Sequence, residues 1–286
     1  MKKFRIILLV MLCILSLKAE VVTVVPYSGV LGFDNNSSKN SGSINGFYAS
    51  SGTLSYLLEF SYTYTDIKYK SSTDNLTQNE YTFIYNRYWN DHAVKVGIHT
   101  NSTTDKSLKN GTTLIIGTSK WKWFGYSKLT YGLDYYNTSY VNGEDLADNN
   151  HSVIVDQISP YISYYKPFSL STKNLISLKI NIENINAYSE QKDYISYELK
   201  DTLYYKKAYL EIAYIGGELR TGIKDGGMTV YNSKDLITNA ISAKLGFYIN
   251  SKLNTSLSYT STTYDEYNNI DNINSSALVM TASYTF

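Results

Sequence analysis

The sequence predicts an all-β chain, a transmembrane antiparallel β-barrel of fourteen strands. Three observations carry this: long runs alternate apolar with polar residues, the connections alternate short with long, and the last run ends the chain on an aromatic residue, Phe286. In that last run Leu278, Met280, Ala282, Tyr284 and Phe286 share one parity, with Val279, Thr281, Ser283 and Thr285 between them. Successive strand side chains point to opposite faces, so this run offers one face to hydrocarbon and a smaller, more polar one to an interior.

The amino-terminus reads as an export leader. Lys2, Lys3 and Arg5 precede an apolar run from Ile6 to Leu17, and Ala19 supplies a small residue for cleavage before Glu20. The run is shorter than the roughly 20 residues a membrane helix needs. The domains are therefore a signal peptide, 1–19, and one barrel domain, 20–286. The single cysteine, Cys13, leaves with the leader; Leu12 before it does not suit a lipid-attachment site. A mature chain without cysteine forms no disulfide and no thiolate metal site.

Strands are expected at 27–34, 43–51, 53–69, 78–89, 92–103, 111–121 and 124–140, then at 151–165, 174–188, 193–205, 208–220, 236–249, 252–264 and 275–286. Tight links at Asn90-Asp91, Lys122, Lys206-Lys207 and Asn250-Ser251 fall on one side, with Gly52 and the medium link 166–173. Longer connections rich in Asn, Ser, Asp and Gly fall on the other. The glycine-rich stretch 27–51 is the weakest part of the count, and twelve strands is the alternative. Pro26 and Pro167 are expected just outside strands, because proline lacks the amide a ladder uses.

The faces are explicit in several runs. Leu58, Phe60, Tyr62 and Tyr64 oppose Glu59, Ser61, Thr63 and Thr65, and Leu178, Ile180 and Ile182 oppose Lys179, Asn181 and Glu183. A basic residue on the lipid face costs about 2–4 kcal/mol at the bilayer midplane. Glu59, Lys95, Lys179, Glu183, Glu211 and Lys244 are therefore expected to line the lumen. The thirty tyrosines suit the two membrane interfaces, where a ring with a polar edge is at home.

Other chemistries fit poorly. The formal charge of +1 carries no concentrated basic patch, so nucleic acid is not an expected partner. None of His92, His99 or His151 is followed two residues later by the serine that membrane phospholipases place on the same strand face. Glu144, Asp145, Asp148 and His151 sit near one loop, as in rim proteases, but acidic loop residues are ordinary solubilisers, and their spacing lacks a calcium-loop signature. The glycine pairs precede no helix, as a nucleotide loop would. No enzyme activity and no cofactor is expected.

Taken with its Leu278-to-Phe286 terminus, the chain resembles Gram-negative outer-membrane β-barrels, in particular porin-like proteins. Short segments, Tyr27-Ser28-Gly29, Gly46-Phe47-Tyr48, Gly97-Ile98-His99 and Val230-Tyr231-Asn232, resemble barrels of Campylobacter- and Helicobacter-type bacteria. The resemblance implies an outer-membrane location with periplasmic termini and contact with lipid and lipopolysaccharide. It also implies handling by the secretion and barrel assembly machineries, with Leu278, Met280, Ala282, Tyr284 and Phe286 as the assembly signal. Passive diffusion of small hydrophilic solutes or ions is the function it implies; because a fourteen-strand ring leaves more interior than side chains alone need fill, a constriction is expected either from inward residues or from the long connection 221–235 folding inward. Transport of apolar compounds and a structural or adhesive surface role are the alternatives, and the outward aromatics leave room for a homo-oligomer.

Overall fold

In the computed structural model, residues 21–71, 75–104, 110–144, 150–187, 190–230, 235–266 and 270–286 are described. The expected leader lies outside them, as do the side chains of Glu144, Asp145, Asp148 and His151. The strands are β1 (Val21–Phe33), β2 (Lys39–Gly52), β3 (Tyr56–Tyr69), β4 (Leu76–Trp89), β5 (His92–Thr103), β6 (Gly111–Phe124), β7 (Ser127–Glu144) and β8 (Asn150–Pro167). They continue with β9 (Thr172–Ala187), β10 (Glu190–Tyr205), β11 (Ala208–Leu219), the two-residue β12 (Ile223–Lys224) and β13 (Thr229–Val230), β14 (Leu236–Tyr248), β15 (Leu253–Glu266) and β16 (Ile270–Thr285).

All but β12 and β13 form one closed antiparallel barrel of fourteen strands, each beside its sequence neighbour, with β1 sealing against β16. The twelve-strand alternative is thereby overturned. The glycine-rich β1 and β2 are full staves, in register from Val21↔Gly52 to Gly32↔Ser41. Gly46 shows why glycine belongs there: the Tyr27 ring lies across it, and a Cβ would stand 2.5 Å from the ring's Cζ. Tyr27 thereby reaches across β2 to Thr63 on β3, hydroxyl to hydroxyl at 2.6 Å.

Several boundaries differ from the sequence expectation. The reversal assigned to Lys122 occurs at Gly125-Tyr126, with Gly125 at φ 61°. One residue cannot reverse an antiparallel ladder, whereas a two-residue turn with positive φ matches its twist. The link placed at Gly52 is the segment 53–55, closed by the Thr53 amide bonding the Tyr56 carbonyl. Pro26 and Pro167 lie within β1 and at the end of β8. The β1–β16 pairing simply skips Val25 and Pro26, and the β8–β9 pairing skips Ser159 and Pro160, without a register shift. A missing donor opens the ladder locally, over two residues in each case, and leaves its course intact.

The exterior is apolar: Val94, Val96 and Ile98 on β5, Leu114 and Ile116 on β6, and Ile176, Leu178, Ile180 and Ile182 on β9 are all exposed. Closure is what makes such a surface viable in lipid, since hydrocarbon offers no partner to an unpaired strand edge. On the short-turn side, cations lie beside outward rings, as with Arg87 and Trp89 at 5.9 Å and Lys122 and Phe124 at 5.2 Å. At the seam, the Phe286 amide donates to the Val22 carbonyl at 2.9 Å.

Candidate functional site: a partly filled lumen

The lumen is filled on one side. The connection between β11 and β14 turns inward and forms the small hairpin β12–β13, whose tip is a 3-10 turn, Asp225–Gly227. Ile223 is 1% exposed and packs with Ile84, Ile115 and Tyr136, side chains of the barrel wall. Burying such a side chain contributes about 2 kcal/mol, enough to hold a short segment against a wall. Gly227 fits because Ile115 occupies the space a Cβ would need, at 2.5 Å.

Polar contacts pin the same hairpin. Gln157 accepts from the Ile223 amide at 2.7 Å and donates to its carbonyl at 2.9 Å. Lys95 donates to the Gly226 carbonyl at 3.1 Å, and the Arg220 amide donates to Glu183 at 3.0 Å. Beneath the hairpin Ser159 and Asn181 bond each other at 2.9 Å, both wholly or almost wholly buried.

The expected lumen residues fall into distinct settings. Lys95 and Lys179 approach Asp134 at 2.8 and 3.8 Å, under the packed side. Glu183 is buried against Arg220. Glu59 lies nearer the short-turn end, accepting from the Tyr48 hydroxyl at 2.8 Å and from Asn86. Glu211 and Lys244 are cross-strand partners on β11 and β14, where Thr202 donates to Glu211 at 3.2 Å and Lys244 stands 5.9 Å from the Tyr209 ring. These six do not converge on one centre.

Two open spaces adjoin the hairpin. One, of about 230 Å³, is bounded by Glu198, Lys200, Glu211, Lys244, Ser258 and Thr260, with Lys224 and Asp225 of the hairpin as its inner wall. Lys200 bridges Glu198 at 3.3 Å and Asp225 at 3.5 Å there. The other, of about 560 Å³, opens toward the long-loop end between β1–β4 and β14–β16. Thr260 borders both.

Asp134, Gln157, Lys200, Asp225 and Thr260 were not singled out by the sequence. For Asp134 the signal was present, since its charge interrupts the apolar and aromatic run Leu133, Tyr135, Tyr136. Thr82 and His99, on neighbouring strands, bond at 2.8 Å, with Glu80 3.6 Å from the other ring nitrogen. Thr82 is 1% exposed, so its hydroxyl meets no solute and the trio packs the wall. Among the described residues, no group of three or more metal-ligating side chains comes together.

A closed ring of fourteen strands with a lipid-compatible outer face and a polar, partly open interior has one setting. This is an outer-membrane β-barrel. Solved structures share its architecture: a TodX deletion variant described as a monoaromatic hydrocarbon channel, with TM-score 0.53, 7% identity and coverage of 96% of this chain and 91% of that one. The Ralstonia pickettii toluene transporter TbuX gives 0.52 at 8% identity, covering 95% and 90% of the two chains. The CymD monoaromatic hydrocarbon channel gives 0.51 at 9%, covering 95% and 89%. At such identities the likeness is one of fold. No protein-family model matches the chain, and neither does any curated protein.

Proposed function

We propose that the barrel is a channel for passive diffusion of small polar solutes, and that their path runs beside the hairpin along the β14–β15 wall. The observation that carries this is the polar gap between Lys224-Asp225 and the wall residues Ser242, Lys244, Ser258 and Thr260. Opposite it, Gln157, Ser159, Asn181 and Glu183 are sealed under the hairpin. Side chains of both signs around the gap, Lys200, Lys244, Glu198 and Glu211, offer partners to dipolar solutes and set only a modest ion preference.

The test is conductance of the refolded mature protein in a planar bilayer. Reproducible single-channel steps with a measurable reversal potential support the reading. Verified insertion without steps overturns it and leaves a structural barrel. A second reading, passage of apolar compounds, is favoured by the apolar wall of the larger space, formed by Leu31, Ile44, Ile67 and Leu76.

A further inference from the structure

Three tyrosines stand inside the barrel between the open gap and the short-turn end. Tyr204 on β10, Tyr209 on β11 and Tyr248 on β14 share the parity of Thr202, Glu211 and Lys244, while Leu203, Leu210 and Phe247 between them belong to the exposed outer face. Their rings form a ladder, with centroids 5.8 Å apart from Tyr204 to Tyr209 and 5.9 Å apart from Tyr209 to Tyr248, tilted by 40° and 54°. Gly246, opposite Tyr209 in the register, makes room for it: a Cβ there would lie 2.2 Å from Cζ of the Tyr209 ring, which crosses β14 through that space.

The hydroxyls set this group apart. Tyr27, Tyr48 and Tyr136 also point inward, and each bonds a wall neighbour: Thr63 at 2.6 Å, Glu59 at 2.8 Å and Asp134 at 3.0 Å. Among the described residues, the hydroxyls of Tyr204, Tyr209 and Tyr248 have no hydrogen-bond partner, and Lys244, 5.9 Å from the Tyr209 ring, makes no ion pair. Tyr248 is 40% exposed, so the ladder is open to the lumen rather than packed within the wall.

Ring faces favour the C–H surface of a solute, and unoccupied hydroxyls beside an ammonium favour one that carries oxygens. A hydrocarbon would use the rings alone and a simple anion Lys244 alone. A cation would meet Lys244 beside the ring it would need. A neutral sugar has both surfaces, an apolar ring face and hydroxyls around its rim.

We propose that the tyrosine ladder is a subsite for neutral sugars, with a pyranose ring stacked on Tyr209 and Tyr248 and its hydroxyls bonded to Lys244 and the tyrosine hydroxyls. The proposal deepens the channel reading and rests on it for the route by which the sugar arrives. It accounts for why the lumen keeps three rings with unoccupied hydroxyls directly below the polar gap.

The experiment is saturation-transfer NMR on the refolded mature barrel in lauryldimethylamine oxide micelles, with maltotriose as probe and tetraethylene glycol, which has oxygens but no ring face, as control. Maltotriose should show transfer and the glycol none. Tyr248→Ala, at the exposed end of β14, should weaken maltotriose binding roughly fivefold, the loss expected of one ring contact, whereas Tyr48→Ala, whose hydroxyl is held by Glu59, should not. Tyr204→Ala repeats the test if heat-modifiable mobility shows Tyr248→Ala unfolded. Equal transfer to both probes, none to either, or full binding in both ladder variants overturns the subsite. Conductance is read separately: steps without maltotriose binding remove the subsite and leave the channel, and binding to a barrel without steps does the reverse.

Discussion

Lys95 and Asp134 meet at 2.8 Å across an intervening strand, over Gly117. Lys95, Gly117 and Asp134 are consecutive rungs on β5, β6 and β7, and a Cβ at 117 would lie 2.3 Å from the Asp134 carboxylate and 2.7 Å from Lys95 Cε. The ion pair therefore depends on the absence of a side chain. Lys95 also reaches the hairpin tip through the Gly226 carbonyl, so wall and hairpin share one support.

Gly117→Val should part this pair and leave Asp134 with the more distant Lys179 and the Tyr136 hydroxyl. Breaking a largely buried ion pair costs about 3–5 kcal/mol. The urea-unfolding midpoint of the refolded barrel should fall accordingly, and an unchanged midpoint would show that the pair contributes nothing.

Gln157→Leu removes both side-chain bonds to Ile223 while keeping the volume close. Leaving the two hairpin groups unsatisfied costs about 2–4 kcal/mol in all. The hairpin should loosen, with larger and noisier single-channel conductance and little change in barrel stability. A quiet channel of the original conductance would contradict the pinning role.

Charge reversal should separate the two lysines. Lys244 borders the open gap, whereas Lys179 lies near Asp134 on the packed side. Lys244→Glu should shift the reversal potential clearly toward cations and Lys179→Glu much less, compared in folded variants under the same salt gradient. An equal shift would place the path through the packed side.

Deleting Phe286 removes the amide bonded to Val22 and the edge-on ring contact with Tyr284 at 4.9 Å. Surface labelling of cells should show severalfold less inserted barrel. Normal insertion would refute an assembly role for the terminal residue.

The strands were legible because lipid and lumen select opposite chemistries at every second residue, as at Leu178 to Glu183. The same rule hid the hairpin's seat. Phe83-Ile84 and Ile115-Ile116 place apolar residues side by side, and one of each pair faces inward to meet Ile223. Periodicity alone cannot say which. An inward turn after β11, seen at 221–230, was one of the two constrictions the sequence offered, but Gln157 was not readable, since an amide on a polar face could as well meet water. The turn at Gly125 was missed because Trp121-Lys122-Trp123-Phe124 interrupts the alternation, although glycine at positive φ marks it.

The claim that the path lies beside the hairpin is tested most directly by modifying single cysteines in the refolded 20–286 barrel, which has none of its own. Thr260→Cys and Asn181→Cys channels would each be exposed to a trimethylammonium-bearing methanethiosulfonate while conducting. Thr260→Cys should lose conductance irreversibly, and Asn181→Cys, sealed beneath the hairpin, should not respond. No loss at Thr260, or an equal loss at Asn181, would contradict the account.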